Sequence, residues 1–414
     1  MQKKLLINLL FVSSIYADMQ FEEIVSKVMG NYPGVAASNE AIKEADAGID
    51  TAMWQYFPTP SIDMSRNSNS NQTTARLSQP LWTGGKLDAA YDQATAAKSE
   101  ATYILDEKKY KLIEAVLNHC QNYIQAKYTK EALYEGIERL DSFSEMIDRR
   151  ISSGISSESD KKLLQSRITQ IKSDLLSSQQ KEQVALKQLS ILLVDDINGV
   201  NFIDKIPFNS LNAQDLISKI SMAHPTLSKM EEQLKSASYE VDKQKASLSP
   251  TLSANAEHRR GDLYDENNNT KDNLVYLKLE SSFGAGLSAF SNIEQSKIKL
   301  QKLKFEKASI ESELIDSFWV DYNNMLVSKN KIDNLESNQI LSHDVLESNK
   351  RLFLADKKQW LDLVNSSREL MDIEVSLANT KVTYFISKYK IALMAGLINR
   401  ENGEYKNGCK IDGI

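Results

Sequence analysis

Apolar residues recur every three or four positions along two very long stretches of this chain, and at every second position along two short ones. The first long stretch runs from about Leu87 to Ile151. It carries Leu87, Tyr91, Ala94, Ala97, Ala101, Leu105, Leu112, Val116, Cys120, Ile124, Tyr128, Leu133, Ile137, Leu140, Phe143 and Ile147, with no Pro and only Gly136 inside. That spacing predicts one helix with a sustained apolar stripe; at 1.5 Å per residue it spans on the order of 100 Å. The stripe returns through Ile293, Leu300, Leu314, Phe318, Leu326, Leu335, Val345 and Leu352. Each long helix is interrupted, at Ser152–Ser157 and at Phe353–Lys358, and a second helix follows, Glu158–Leu193 or Gln359–Ala395. In the first interruption Gly and Ser supply a helix stop and a new N-cap. Two helices joined by so short a turn pack antiparallel. Each pair is therefore a long helix hairpin with its tip near Gly154 or Asp356.

Period-two alternation marks the strands. Pro60–Pro80 holds two runs, around Ile62–Met64 and Ala75–Leu81, joined by the polar loop Asn67–Asn71. In Thr251–Phe283, Leu252, Ala254 and Ala256 alternate with Ser253, Asn255 and Glu257, and Val275, Leu277 and Leu279 alternate with Tyr276, Lys278 and Glu280. Such strands have one apolar and one wet face. Runs near ten residues suit either a soluble hairpin or a membrane-spanning barrel. A short helix precedes each strand pair, about Phe21–Gln55 and about Asn212–Leu248.

The two sets of elements are copies. Tyr32-Pro33 and Pro58-Thr59 return 192 residues later as His224-Pro225 and Pro250-Thr251. From Leu77/Leu279 the offset is 202 and holds through Arg149/Arg351, Asp160/Asp362 and Leu189/Ile391. An insertion of about ten residues, placed in the polar segment Arg259–Asp272, accounts for the change. The expected organisation is a leader over 1–17, repeat 1 over 18–211 (strands about 60–81, helix hairpin about 86–193), repeat 2 over 212–398 (strands about 251–283, helix hairpin about 288–395) and a polar tail over 399–414.

Composition narrows the class. Only 15 Gly and 7 Pro punctuate 414 residues, which suits long helices. The net charge is −6, with Lys and Arg scattered among acids, so no nucleic-acid partner is expected. Lys3 and Lys4 followed by Leu5–Val12 and Ala17 predict a secretory signal peptide. No later segment holds the roughly 18 apolar residues of a spanning helix. An exported chain of this kind either stays soluble outside the cytoplasm or crosses a membrane as a β-barrel. Cys120 and Cys409 match no ligand or redox spacing, and Cys120 sits on the apolar face of a helix.

The motifs Tyr32-Pro33, His224-Pro225, Pro58, Pro250 and above all Leu77-Ser78-Gln79-Pro80-Leu81-Trp82-Thr83-Gly84-Gly85 resemble those of the TolC-type outer-membrane factors. The resemblance covers nearly the whole chain after the leader and includes the internal duplication. It implies a mainly α fold with a β-barrel part. In a homotrimer, long antiparallel helix hairpins would form an α-barrel, and four strands per chain would share one 12-stranded transmembrane β-barrel. Gln79, Pro80, Leu81, Trp82, Gly84 and Gly85 would form the barrel-to-helix junction. It further implies the outer membrane of a Gram-negative bacterium with a long periplasmic portion. The implied partners are outer-membrane lipid, a periplasmic adaptor (membrane-fusion) protein, and an inner-membrane ABC exporter or other pump. The segment Arg351–Asn365, with Gln359-Trp360-Leu361-Asp362 and then Arg368-Glu369-Leu370, resembles outer-membrane components of type I secretion systems for large adhesins.

By the same resemblance Asp362 occupies the periplasmic entrance, where a ring of three acids would favour cations; Asn365 replaces a second acid there. Asp362 alternatively caps the start of its helix, where acids are common, and Asp160, its first-half equivalent, is read as structural. The hairpin tips, with Gly154, Ser157 and Asp356 and with Arg149 and Arg351 just before the turns, are the expected adaptor-docking surface. The two Arg residues alternatively neutralise helix C-terminal carbonyls. His119, His224, His258 and His343 are isolated, and Thr83-Gly84-Gly85-Lys86 lacks phosphate-loop spacing. No enzyme activity, cofactor or metal is expected. The function so predicted is an exit duct for type I protein secretion with adhesin-like cargo. A small-molecule or drug efflux duct, and a non-conducting periplasmic coiled-coil spacer, are the alternatives.

Overall fold

The computed structural model describes residues 18–67, 70–201, 206, 212–261 and 271–406. The expected leader, most of the inserted loop, Cys409 and the end of the tail lie outside the described residues.

The elements, in chain order, are β1 (Met19–Gln20), α1 (Phe21–Asn31), α2 (Pro33–Trp54), β2 (Thr59–Asn67), β3 (Ser70–Trp82), α3 (Lys86–Ser152), α4 (Glu158–Leu193), β4 (Val200–Asn201), α5 (Ala213–Ala223), α6 (Pro225–Ala246), β5 (Thr251–Gly261), β6 (Lys271–Glu280), α7 (Ser288–Leu354) and α8 (Trp360–Met394). The duplication is visible in the lengths: α3 and α7 have 67 residues each, and α4 and α8 have 36 and 35.

Three sequence expectations are corrected. The short helix of each half is two helices, broken at Tyr32-Pro33 and His224-Pro225. Proline tolerates only the first turn of a helix and holds its predecessor extended, and Tyr32 and His224 have ψ of 120° and 125°. The strands run further than their apolar runs. Asn67 and Asn71 belong to β2 and β3, and Arg259, Arg260 and Asp272 to β5 and β6, because ladder pairing carries the polar ends along. The tail is not simply trailing polar chain either. Ile398 bridges Tyr405, Asn399 N–H donates to Glu404 O at 2.8 Å, and a Cβ at Gly403 would sit 3.1 Å from Val25 of α1.

The compact units are not the repeats. One comprises Met1–Tyr32, Lys111–Ala213 and Phe318–Ile414, the other Pro33–Tyr110 and Gln214–Ser317, so each draws on both copies. In the first, Leu133, Ile137, Leu140, Phe143 and Ile147 of α3 pack with Leu164, Ile168 and Ile171 of α4 and with Trp360, Leu363, Val364 and Leu370 of α8. Each such side chain, fully buried, contributes about 1.5–3 kcal/mol. Phe21 of α1 meets Tyr389 of α8 edge-on at 5.5 Å, and β1 pairs in parallel with β4.

The second unit contains a four-stranded antiparallel sheet in the order β2-β3-β5-β6. Beside it, α6 buries Leu227, Met230, Ala237 and Val241. Lys229 pairs with Glu107 of α3 at 2.7 Å, and Tyr110 lies edge-on to His224 at 4.6 Å.

Candidate functional site: an amphipathic sheet and two hairpin tips

Because side chains alternate along a strand, the ladder registers sort the sheet into two faces. One carries Ile62 and Met64 of β2, Leu77 of β3, Ala254 and Ala256 of β5 and Val275, Leu277 and Leu279 of β6. These large side chains are exposed, Met64 to 78% and Val275 to 84%. The other face is polar. There Glu257 is fully covered and accepts from Arg76 Nε at 2.5 Å, Arg259 Nη2 at 2.6 Å and the Tyr276 hydroxyl at 2.5 Å. Water-soluble sheets bury the apolar face; this one exposes it and buries charge. The outer sides of β2 and β6 have no strand partner among the described residues.

At the helix end of the sheet, Trp54, Tyr56, Phe57, Trp82 and Phe283 are exposed, with Trp54 and Phe57 5.2 Å apart. The junction follows. The β3–β5 register shifts between Pro80 and Trp82, so Leu81 is an extra residue. Pro80, which has no N–H, sits at that bulge. Gln79 Nε2 donates to Tyr56 O and Pro80 O, both at 2.8 Å. Gly84 and Gly85 then take φ of 62° and 85°. A Cβ at Gly84 would lie 2.3 Å from that of Ser249, so the tight turn into α3 needs glycine both for its conformation and for space. Lys86 N–H donates to Thr83 O at 3.2 Å as α3 starts.

In the other unit the two helix hairpins end in different chemistry. Gly154 takes φ 72° and its N–H donates to Ile151 O at 2.9 Å. Ser157 then caps α4, accepting from Asp160 N–H at 3.3 Å while its own N–H donates to Asp160 Oδ2 at 3.2 Å. In the second copy Asp356 itself adopts the left-handed conformation, φ 58°, and Lys357 N–H reaches back to Leu352 O at 2.9 Å. Gln359 N–H donates to Asp362 Oδ2 at 3.3 Å, and Lys358 Nζ lies 3.7 Å from the same oxygen. Asp362 thus caps α8. Its carboxylate is still 44% exposed, on a side of the helix that also exposes Asn365, Glu369 and Asp372 while Leu363, Val364, Ser366 and Ser367 are buried. Capping and an outward-facing charge coexist in one residue.

Arg149 Nε donates to Glu145 O at 3.3 Å, within the last turns of its own helix, and Arg351 lies exposed in the last turn of α7. The residue that joins the tips is Arg150. Its guanidinium pairs with Asp356, donates to Phe353 O at 3.2 Å and to Ser156 Oγ at 3.4 Å, and lies 4.6 Å from the centre of the Phe353 ring. Phe353 and Phe143 in turn flank Trp360, at 5.6 and 6.1 Å. The repeat comparison passes over Arg150 because its counterpart is Leu352: matching the halves selects what they share, and this contact exists where they differ. Glu257 was also missed, although Arg259 two residues along the same strand face was a usable signal.

Among the described residues, no group of three or more His, Cys, Asp or Glu is placed to hold a metal ion, and no helix is long and apolar enough to cross a membrane. Cys120 is buried in α3, where burial pushes its thiol up to about 12.

The sequence profile of the family described as Outer membrane efflux protein matches residues 24–193. The fold is that of solved outer-membrane channels. It superposes on CusC, described as forming a transmembrane channel, with a TM-score of 0.79 at 13% identity, covering 92% of each chain. The outer-membrane channel OprN gives 0.79 at 12% identity, covering 91% of this chain and 89% of that one. The outer-membrane protein VceC of Vibrio cholerae gives 0.78 at 12%, covering 91% and 96%. No curated protein sequence matches the chain.

Proposed function

We propose that the chain is one protomer of a homotrimeric outer-membrane channel, a passive exit duct joined through a periplasmic adaptor to an inner-membrane pump. The sheet is the observation that carries this reading. An exposed apolar face, a charged face to turn inward and two outer edges unpaired among the described residues suit a barrel segment that lipid covers and copies of the chain complete. Open edges are not tolerated in hydrocarbon, so a spanning sheet of four strands must close with others. Trp54, Tyr56, Phe57 and Trp82 stand where an interfacial aromatic girdle belongs. The family match and the shared fold support the same reading.

The cargo we propose is protein, exported by a type I system with adhesin-like substrates, supported by the resemblance of Arg351–Asn365. Small-molecule efflux is the second reading, favoured by the description of the matched family. Asp362, with Asn365 beside it, is proposed to line the periplasmic entrance, and the tips at Gly154, Ser157 and Asp356, flanked by Arg149 and Arg351, to receive the adaptor. Fractionation with an unboiled gel tests the duct: a heat-sensitive oligomer in the outer membrane is expected, and a soluble monomer overturns it. Deletion of the chromosomal copy separates the cargoes. Loss of surface adhesin is expected, whereas intact display with raised drug sensitivity assigns efflux instead.

A further inference from the structure

The charges on the sheet are unevenly shared between its faces. On the face that the barrel reading turns inward, Arg76 and Arg259 both pair with Glu257, and the registers put Asp63 and Asp272 on that face too, so the carboxylates there outnumber the arginines. The apolar face, followed toward the hairpin turns, is different. Beyond Ile62 and Met64 of β2 comes exposed Arg66, and beyond Ala254, Ala256 and His258 of β5 comes exposed Arg260. Arg260 lies four residues, or about 13 Å, beyond Ala256, the ladder partner of Val275. Arg66 follows exposed Met64 by two residues, about 7 Å. No acidic residue falls on this face of the four strands.

We infer that Arg66 and Arg260, standing at the margin of the apolar face, bind phosphate groups of the lipid leaflet on the hairpin-turn side of the membrane. The inference rests on the barrel reading above. Its chemistry is that of guanidinium: five donors in a planar fork match phosphate oxygens bidentately. Lipid is the occupant because the same face delivers the arginines at the end of an exposed hydrocarbon-compatible band. A lipid lying along Ile62, Met64, Val275 and Leu277 brings its headgroup to them. The inward arginines, each already held by Glu257, have no such vacancy of charge.

The test reconstitutes the full chain into phosphatidylcholine vesicles containing a minor fraction of bisphosphorylated lipid A or the same lipid with its phosphates removed. Lipid retained per chain after detergent extraction is measured by mass spectrometry, alongside the heat-sensitive oligomer band. Wild type is expected to retain the bisphosphorylated form preferentially, and R66Q/R260Q to lose that preference by roughly fivefold per arginine. R66K/R260K is expected to keep part of it. An inserted, oligomeric wild type that retains both lipids equally overturns the headgroup site and leaves the barrel standing. Failure of wild type to insert at all overturns the barrel reading and this one with it. Should R66Q/R260Q not assemble, the wild-type comparison between the two lipids decides alone.

Discussion

The helices α3 and α7 have the same length and occupy the same place in the two repeats, yet α7 leaves far more apolar surface in the open. Helix α3 encloses Ile113, Val116, Leu117, Cys120 and Ile147 completely. Helix α7 leaves Ile298, Phe305, Trp319, Leu326, Ile340 and Leu354 exposed, and successive members are separated by multiples of seven residues. A seven-residue repeat is the spacing at which one helix presents a seam to another. Helix α7 therefore buries Phe318, Leu346 and Phe353 but carries, beside them, an apolar seam that the described residues leave uncovered. In the proposed trimer the missing partner of α7 is a helix of the adjacent protomer. In that trimer the duplicated helices would form two equal lengths of wall, one closed by an intramolecular core and the other by an intermolecular surface.

Substitutions can break this contrast, and the largest effect is expected in the α3 core. Leu117→Ala should cost about 2–5 kcal/mol of fold stability, read as a lower thermal midpoint of helical circular dichroism even in isolated monomers. An unchanged midpoint would mean that the α3 core is not what holds the unit together. Ile298→Ala with Phe305→Ala should leave monomer helicity intact and weaken only assembly, by about 1.5–3 kcal/mol for each side chain covered in the oligomer. If the heat-sensitive oligomer band survives at wild-type dilution, those positions face water and the seam argument fails.

Burial on α3 also has a pH signature. The Cys120 thiol is raised from 9.0 to about 12 in the folded chain, so the unfolded state gains by ionising first. Its contribution to stability is whole below pH about 9 and is lost as pH rises toward about 12, at about 1.4 kcal/mol per pH unit. Urea midpoints of wild type should fall more steeply than those of Cys120→Ala across that window; parallel curves would place the thiol in contact with water. Arg150→Ala should cost about 1 kcal/mol, since Asp356 is 62% exposed and the ring contact adds only modestly. Faster proteolysis near Ser153–Ser156 is the expected readout. Asp362→Asn should change stability least, by a few tenths of a kcal/mol, because at the third position of α8 an amide oxygen can still accept from Gln359 N–H and only the small charge–dipole contribution is lost. The same variant should weaken cation preference in planar bilayers. Unchanged selectivity would leave Asp362 a cap and nothing more.

Much of the fold was legible in advance because it is written in local chemistry. A 3.6-residue apolar period and a Gly-Ser interruption act over a few residues, and the helices end where those signals stand. Proline at 33 and 225 was in plain view and its consequence was understated: each short helix divides there. The polar strand ends were illegible for the opposite reason, since Arg259 or Asn71 joins a ladder only when a partner strand arrives with the right register. The site divides the same way. Gly84, Gly85 and Ser157 announce their turns, whereas Arg150 and Glu257 matter only through residues 203 and 181 positions away.

The duplication is a property of the sequence as such, and the long helices, their interruptions and the alternation of the strands follow from side chains close along one chain. How much apolar surface each of the two equal helices leaves open, which face of the sheet stays exposed and which arginine ties the tips emerge only on folding. Those outcomes depend on which surfaces meet, and residues far apart in sequence carry no local mark of meeting.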